Sequence, residues 1–263
     1  ERVLLGLERQ GGLVARRDLD ILTQINRDSR ALVSFSFSGV DDDTCAQFEP
    51  GVPSPGQRLK IIEKFSKAGI PCGMFLMPVL PFVTDSSDQI EESIKSGIDH
   101  GVRFVIFGGL TLKDGRQKDF FRRSLQESHP ELTVEYDVIY PGSEWGQPID
   151  EYTHSVHDTF AEAVAKYDIP PRSPRRLFQD LLDENDYVAV LLDQLDYVLK
   201  LKRRTTPFGF ASYQVSQLEE PISFLRNERR LQSIRGVGPT TQRVIIEILD
   251  TGTCKLYEEH ICG

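Results

Sequence analysis

The chain has 263 residues, 39% hydrophobic and 27% charged, which is apolar enough for one large core or two smaller ones and excludes a disordered chain. A formal net charge of −9 and a pI near 5.2 exclude a global basic field, so any hold on nucleic acid must come from a local patch. Cys45, Cys72, Cys254 and Cys262 are scattered without a C-x-x-C pair, and there is neither an apolar run of about 18 residues nor a signal peptide. These features predict reduced thiols in a cytoplasmic protein with no membrane partner. The chain opens on Glu1, without an initiator Met, which leaves open a fragment with an essential piece upstream.

Residues 2–7 are a short apolar run followed by Gly11-Gly12, as expected of a buried strand running into a loop. Leu19, Leu22 and Ile25 recur at helical spacing, and residues 32–37 then alternate as a strand. The polar, Pro-rich loop Phe48-Glu49-Pro50-Gly51-Val52-Pro53-Ser54-Pro55 leads to a helix over 56–68 and a second apolar run closing at Met77-Pro78-Val79-Leu80-Pro81. Thr84-Asp85-Ser86-Ser87 can cap a helix carrying Ile90, Ile94 and Ile98. Residues 102–107 form a further strand that runs straight into Gly108-Gly109.

The order β, α, β, α, β, α, β predicts parallel βαβ units, in which ligands gather at the carboxyl ends of the strands. Residues 120–128 read as a helix, 136–146 as an aromatic, turn-rich loop, and 158–167 as another helix. Ile169-Pro170-Pro171-Arg172-Ser173-Pro174 breaks that pattern. The expected organisation is a β/α domain over 1–172, a helical extension and linker over 173–225, and a nucleic-acid-binding motif over 226–263. The extension carries an apolar stripe from Leu177 to Leu201 at intervals of three and four.

The most compact motif lies in 231–245, where two short helices are joined by Gly236-Val237-Gly238. Such a turn leaves its own N–H groups and those of the next helix pointing outward, where the helix dipole favours an anion. The stretch resembles a helix-hairpin-helix, a sequence-independent binder of the DNA backbone, and 247–252 looks like the segment that follows it in repair polymerases. Gln242 departs from the pattern, standing where a small Ala is usual. The resemblance implies that Arg235, Gly236, Val237, Gly238, Thr240, Thr241 and Arg243 contact DNA, or RNA. Arg226, Arg229 and Arg230 add local basicity. The alternative is a hairpin that only packs on the rest of the chain.

A second resemblance rests on Arg17-Asp18-Leu19-Asp20-Ile21-Leu22, Val33-Ser34-Phe35-Ser36, the 49–55 loop with Arg58-Leu59, Ala68-Gly69-Ile70-Pro71 and the 77–81 run. Pro207-Phe208-Gly209-Phe210 and Ser216-Gln217-Leu218 extend it into the helical tail. Together these are similar to the second half of a radical S-adenosylmethionine protein of the spore photoproduct lyase-like group. The resemblance implies an α/β fold, a partial (β/α) barrel followed by a helical region with the helix-hairpin-helix. It implies S-adenosylmethionine and a four-iron four-sulfur cluster as cofactors.

Ser34, Ser36, Glu49, Arg58, Gly108 and Gly109 would then line the cofactor site, while Glu49 and Arg58 could equally pair and the serines equally fill a tight interior. The C-x-x-x-C-x-x-C loop that such a cluster needs is absent, so either an upstream polypeptide completes the barrel as a further partner or the chain has lost the activity. The resulting expectation is a radical S-adenosylmethionine protein, or its C-terminal part, acting on or near DNA in repair or modification. The alternative is a non-catalytic DNA-binding or assembly module whose half barrel is a scaffold. His154 and His157 with Asp150 and Glu151, and Cys254, His260 and Cys262, are weak metal candidates. Tyr136, Tyr140 and Trp145 are a weak stacking candidate.

Overall fold

The computed structural model describes residues 5–8 and 18–262. It divides into two units, 1–174 and 175–263. The first unit is built on four strands, β1 (Leu5–Glu8), β2 (Ala31–Phe37), β3 (Cys72–Val79) and β4 (Val102–Gly109), which pair in that order and all run parallel. Parallel pairing requires a crossover between strands. Helices supply it: α1 (Leu19–Ser29), α2 (Asp42–Phe48) and α3 (Pro55–Lys67), and α4 (Ser87–Asp99).

Local sequence explains where the crossover helices begin. Ser54 caps α3 and Ser86 caps α4, each accepting from the N–H three residues on while Gln57 and Gln89 reach back to the cap N–H. Both are capping boxes, and Pro55 adds a pre-set first turn. The helices bury Leu59, Ile62 and Phe65, and Ile90 and Ile94, against Val33, Phe35, Phe37, Met74 and Leu76 of the sheet. After β4 come α5 (Arg116–Ser128), α6 (Thr133–Ile139) and α7 (Asp150–Lys166). Helix α7 lays Val156, Phe160 and Val164 on the same side of the sheet.

The expected partial barrel is overturned. The sheet is a small open row in a largely helical chain, with β1 and β4 at opposite ends and no pairing between them. Closure needs more strands, with tilt and stagger carrying the last back to the first. Here no strand follows β4 among the described residues, and the Val105 N–H instead donates to the carbonyl of Pro170 at 3.0 Å. Two element boundaries also differ from expectation. Helix α6 takes up the start of the expected 136–146 loop, and α7 begins eight residues before 158.

Because all the crossovers lie on one side, the sheet has two unlike faces. Phe35, Phe37, Met74 and Leu76 belong to the helix-covered core. Ser36, Phe75, Met77 and Ile106 alternate with them, belong to no core cluster and are only half-buried. A second small core sits beyond the carboxyl ends of β3 and β4, where Phe48, Leu110, Phe121, Leu125 and Tyr136 meet.

The second unit is all helix: α8 (Glu184–Leu201), α9 (Phe208–Ser216), α10 (Ile222–Asn227) and α11 (Pro239–Thr251), followed by a short helical end. The stripe read from sequence is its spine, with Val188, Leu191, Leu192, Leu195 and Leu199 buried against Phe208, Ala211, Val215, Ile245 and Ile248. Helical extension and hairpin therefore share one core. At Gly209 a Cβ would stand 2.6 Å from the Asp196 carboxylate, so only glycine lets α9 approach α8 there. Among the described residues no helix is long and apolar enough to cross a membrane.

Candidate nucleic-acid interface

The strand-end residues separate into two groups. Arg58 is 1% exposed. Its Nη2 lies 2.7 Å from Glu49 Oε2, its Nη1 donates to the Ser36 carbonyl at 2.6 Å, and its guanidinium lies 5.1 Å from the centre of the Phe37 ring. Ser38, which the sequence reading passed over, donates to the other Glu49 oxygen at 2.5 Å. Glu49 and Arg58 thus tie the end of β2 to the loop before α3.

Ser34 and Ser36 lie on the sheet face away from the helices, opposite Gly73 and Phe75 of β3. Ser34 is 4% exposed and its Oγ has no hydrogen-bond partner. Gly73 is flush with this face because the Phe104 ring lies over it, where a Cβ would come within 2.3 Å of that ring. Gly108 and Gly109 end β4, Gly108 against Met77 and Gly109 in open space. Arg9, at the end of the first expected strand and a weak candidate by the same resemblance, lies outside the described residues.

The chain's described cysteines do not form a cluster site. Cys45, Cys72 and Cys254 are each buried, and they belong to different parts of the two units. Burial pushes the Cys72 thiol up to about 12, far from the thiolate a metal needs. Among the described residues no group of three His, Cys, Asp or Glu could hold a metal ion. His157 is half-buried with its ring 5.1 Å from that of Phe107, and burial lowers its pKa. Tyr136 and Tyr140 are buried and stacked at 5.8 Å, donating to the carbonyls of Pro81 and Leu110. Only Trp145 of the three aromatic candidates is exposed, with the Lys113 ammonium 4.1 Å from its ring centre.

The hairpin is formed by α10, a single 3₁₀ turn at Leu231–Ser233, the turn at Gly236 and then α11. Leu231, Ile234 and Val237 face inward and fix the turn on the core, while Arg235, Gly236 and Gly238 are exposed. Gly236 has φ +85°, a left-handed conformation that favours glycine. The N-cap of α11 is Gly238, which offers no side chain to the first-turn N–H groups, and Pro239 follows it at the start of the helix. Nothing lies within 4 Å of where a Gly238 Cβ would be. Thr240 is exposed at this end, whereas Thr241 is fully buried with its Oγ1 unpartnered. The unexpected Gln242 accepts a hydrogen bond from Gln232 at 2.5 Å, so its length bridges the hairpin instead of forcing it open.

The arginines give the hairpin its charge. Residues 226–243 hold five arginines and one acidic residue, Glu228. Arg226 pairs with Asp250 at 2.6 Å. Arg229, Arg230, Arg235 and Arg243 are exposed, and none pairs with a carboxylate among the described residues. Sequence reasoning missed a neighbour of this turn, Phe210 on α9, which is 48% exposed, and Tyr213 three residues further along the same helix, which is 60% exposed. The Arg235 guanidinium lies 5.5 Å from the Phe210 ring centre, and that ring sits against Gly236. The available signal was a pair of aromatics three apart on a helix whose other face carries Phe208, Ala211 and Val215.

No known family model matches the chain, and no solved structure matches it. It is similar to uncharacterized proteins of Mycobacterium bovis and of two Mycobacterium tuberculosis strains, at 29% identity over 156 residues. The match takes in 59% of this chain and 45% of each relative, so the chain spans less than half the length of the curated relatives it matches.

Proposed function

We propose that residues 226–251 bind the backbone of a nucleic acid without reading its sequence. The observation that carries this reading is the set of exposed guanidiniums of Arg229, Arg230, Arg235 and Arg243, none paired with a carboxylate, flanking in sequence a turn whose Gly236 and Gly238 are exposed. Phosphate contacts by cations release counterions, so such binding weakens steeply with salt, with a slope of about 0.9 per neutralised phosphate. Fluorescence anisotropy of a labelled 20-base-pair duplex across a salt series is the test. Arg235→Ala with Arg243→Ala should reduce the slope by about 2. Gly238→Leu should abolish retention while leaving the fold intact, because the added side chain enters open space but blocks close approach to the backbone. Salt-independent binding, or none, rejects the reading.

A second reading concerns the first unit, where the buried and unpartnered Ser34 Oγ lies on the sheet face that the helices leave half-buried. A ligand with a polar and an apolar part would satisfy that oxygen and cover Phe75 and Met77. S-adenosylmethionine, the cofactor the family resemblance implies, has both. The cluster does not fit this chain's described cysteines, and no radical step is assigned to them. Isothermal titration with S-adenosylmethionine is expected to give binding that Ser34→Val weakens about tenfold, the worth of one buried hydrogen bond. A titration of the unmodified chain without heat at several temperatures, or equal affinity in the variant, removes this reading.

A further inference from the structure

We propose that the nucleic acid bound at the hairpin is single-stranded, with two of its bases stacked on Phe210 and Tyr213. The inference rests on the backbone-binding reading and adds the state of the ligand to it. A duplex held only by its phosphates calls for cations and N–H groups, and its bases are hidden from a protein that stays outside the grooves. Exposed aromatic rings contribute nothing to such a contact. They do contribute to a single strand, whose bases each present a free π-face.

The surface beside the turn has both components. Phe210 is held in place by Gly236, which lies nearest its Cδ1 and Cε1 atoms, and by the Arg235 guanidinium 5.5 Å from its centre, yet remains 48% exposed. The close fit depends on glycine, since a Cβ at position 236 would lie 2.4 Å from the Phe210 ring. Tyr213, one helical turn further along α9 and 60% exposed, continues the same face. Residues three apart on a helix have Cβ atoms about 5–6 Å apart. That exceeds the rise of about 3.4 Å between stacked bases in a duplex strand, so the two rings suit a strand opened far enough for each to take its own base. Charge complementarity selects a polyanion as the occupant. Arg229, Arg230, Arg235 and Arg243 are unpaired, in a segment with one acidic residue, within a chain of net charge −9.

The test compares three labelled 15-nucleotide probes with the full chain at one low salt concentration: a single strand of mixed sequence, its duplex, and a single strand abasic throughout. The expected result is a single strand bound at least tenfold tighter than either of the others. Tyr213→Ala should weaken single-strand binding by about five- to a hundredfold, the worth of one stacked base. The same variant should leave duplex and abasic binding unchanged, and Tyr213→Phe, which keeps the ring, should restore the affinity. Tyr213 carries the test because it is the more exposed ring, whereas removing Phe210 would also loosen the Gly236 turn. Duplex binding equal to or tighter than single-strand binding, or an equal loss on all three probes in Tyr213→Ala, overturns the inference and leaves backbone binding standing. No binding to any probe overturns both.

Discussion

Arg58 is the residue on which the first unit's loop geometry turns. A guanidinium at 1% exposure is tolerable only because a carboxylate, a carbonyl and an aromatic face all meet it. Removing one partner from such a group is worse than removing both, since the remaining charge stays buried. Glu49→Ala should therefore cost about 3 kcal/mol in urea unfolding, the low end for a broken buried pair because Glu49 is partly exposed. Glu49→Ala with Arg58→Met, which keeps most of the stem volume, should recover much of that loss. A cost under about 1 kcal/mol for Glu49→Ala would mean that water reaches Arg58, freeing Glu49 for a ligand. The ion pair was open to sequence reasoning as one of two roles for Glu49. Ser38 was not, because a serine's contribution depends on which loop folds back over it.

Among the elements, the crossover helices are the parts most plainly written in the sequence. Ser-x-x-Gln at 54–57 and at 86–89 each meets the chemical demand of a helix start, an acceptor for the third N–H and a return partner for the first. Ser54→Ala and Ser86→Ala should each cost about 1 kcal/mol, and the double variant about their sum, by chemical denaturation. A marked excess over the sum would show the two helices coupled through the sheet. Two helices without such signals were read poorly. Helix α6 escaped notice because Val134 and Val138 are 69% and 64% exposed, so its few residues show no clean apolar stripe. The first turns of α7 are polar, and their helical period becomes visible only when Val156 and Phe160 reach the core.

At the scale of the molecule, four apolar strands and their helices were legible from the period of the hydrophobic residues, but their closure was not. Periodicity says which face of a strand is buried; it does not say whether the last strand meets the first. An isolated run of βαβ units therefore looks the same in sequence whether it is bent into a barrel or left open. The hairpin is legible for the opposite reason, since its Gly-Val-Gly turn and arginines are local. The stacking face on α9 was lost between these limits, because it becomes a feature only where Phe210 packs on Gly236, twenty-six residues away in the chain.

The arginine-rich hairpin also gives the chain a lopsided electrical character. Residues 1–174 hold 27 acidic and 19 basic side chains, whereas 175–263 hold 13 and 12, so nearly all the surplus negative charge belongs to the first unit. The unit that carries the hairpin is thus close to neutral, so its four exposed guanidiniums stand out locally without a strongly acidic background of their own.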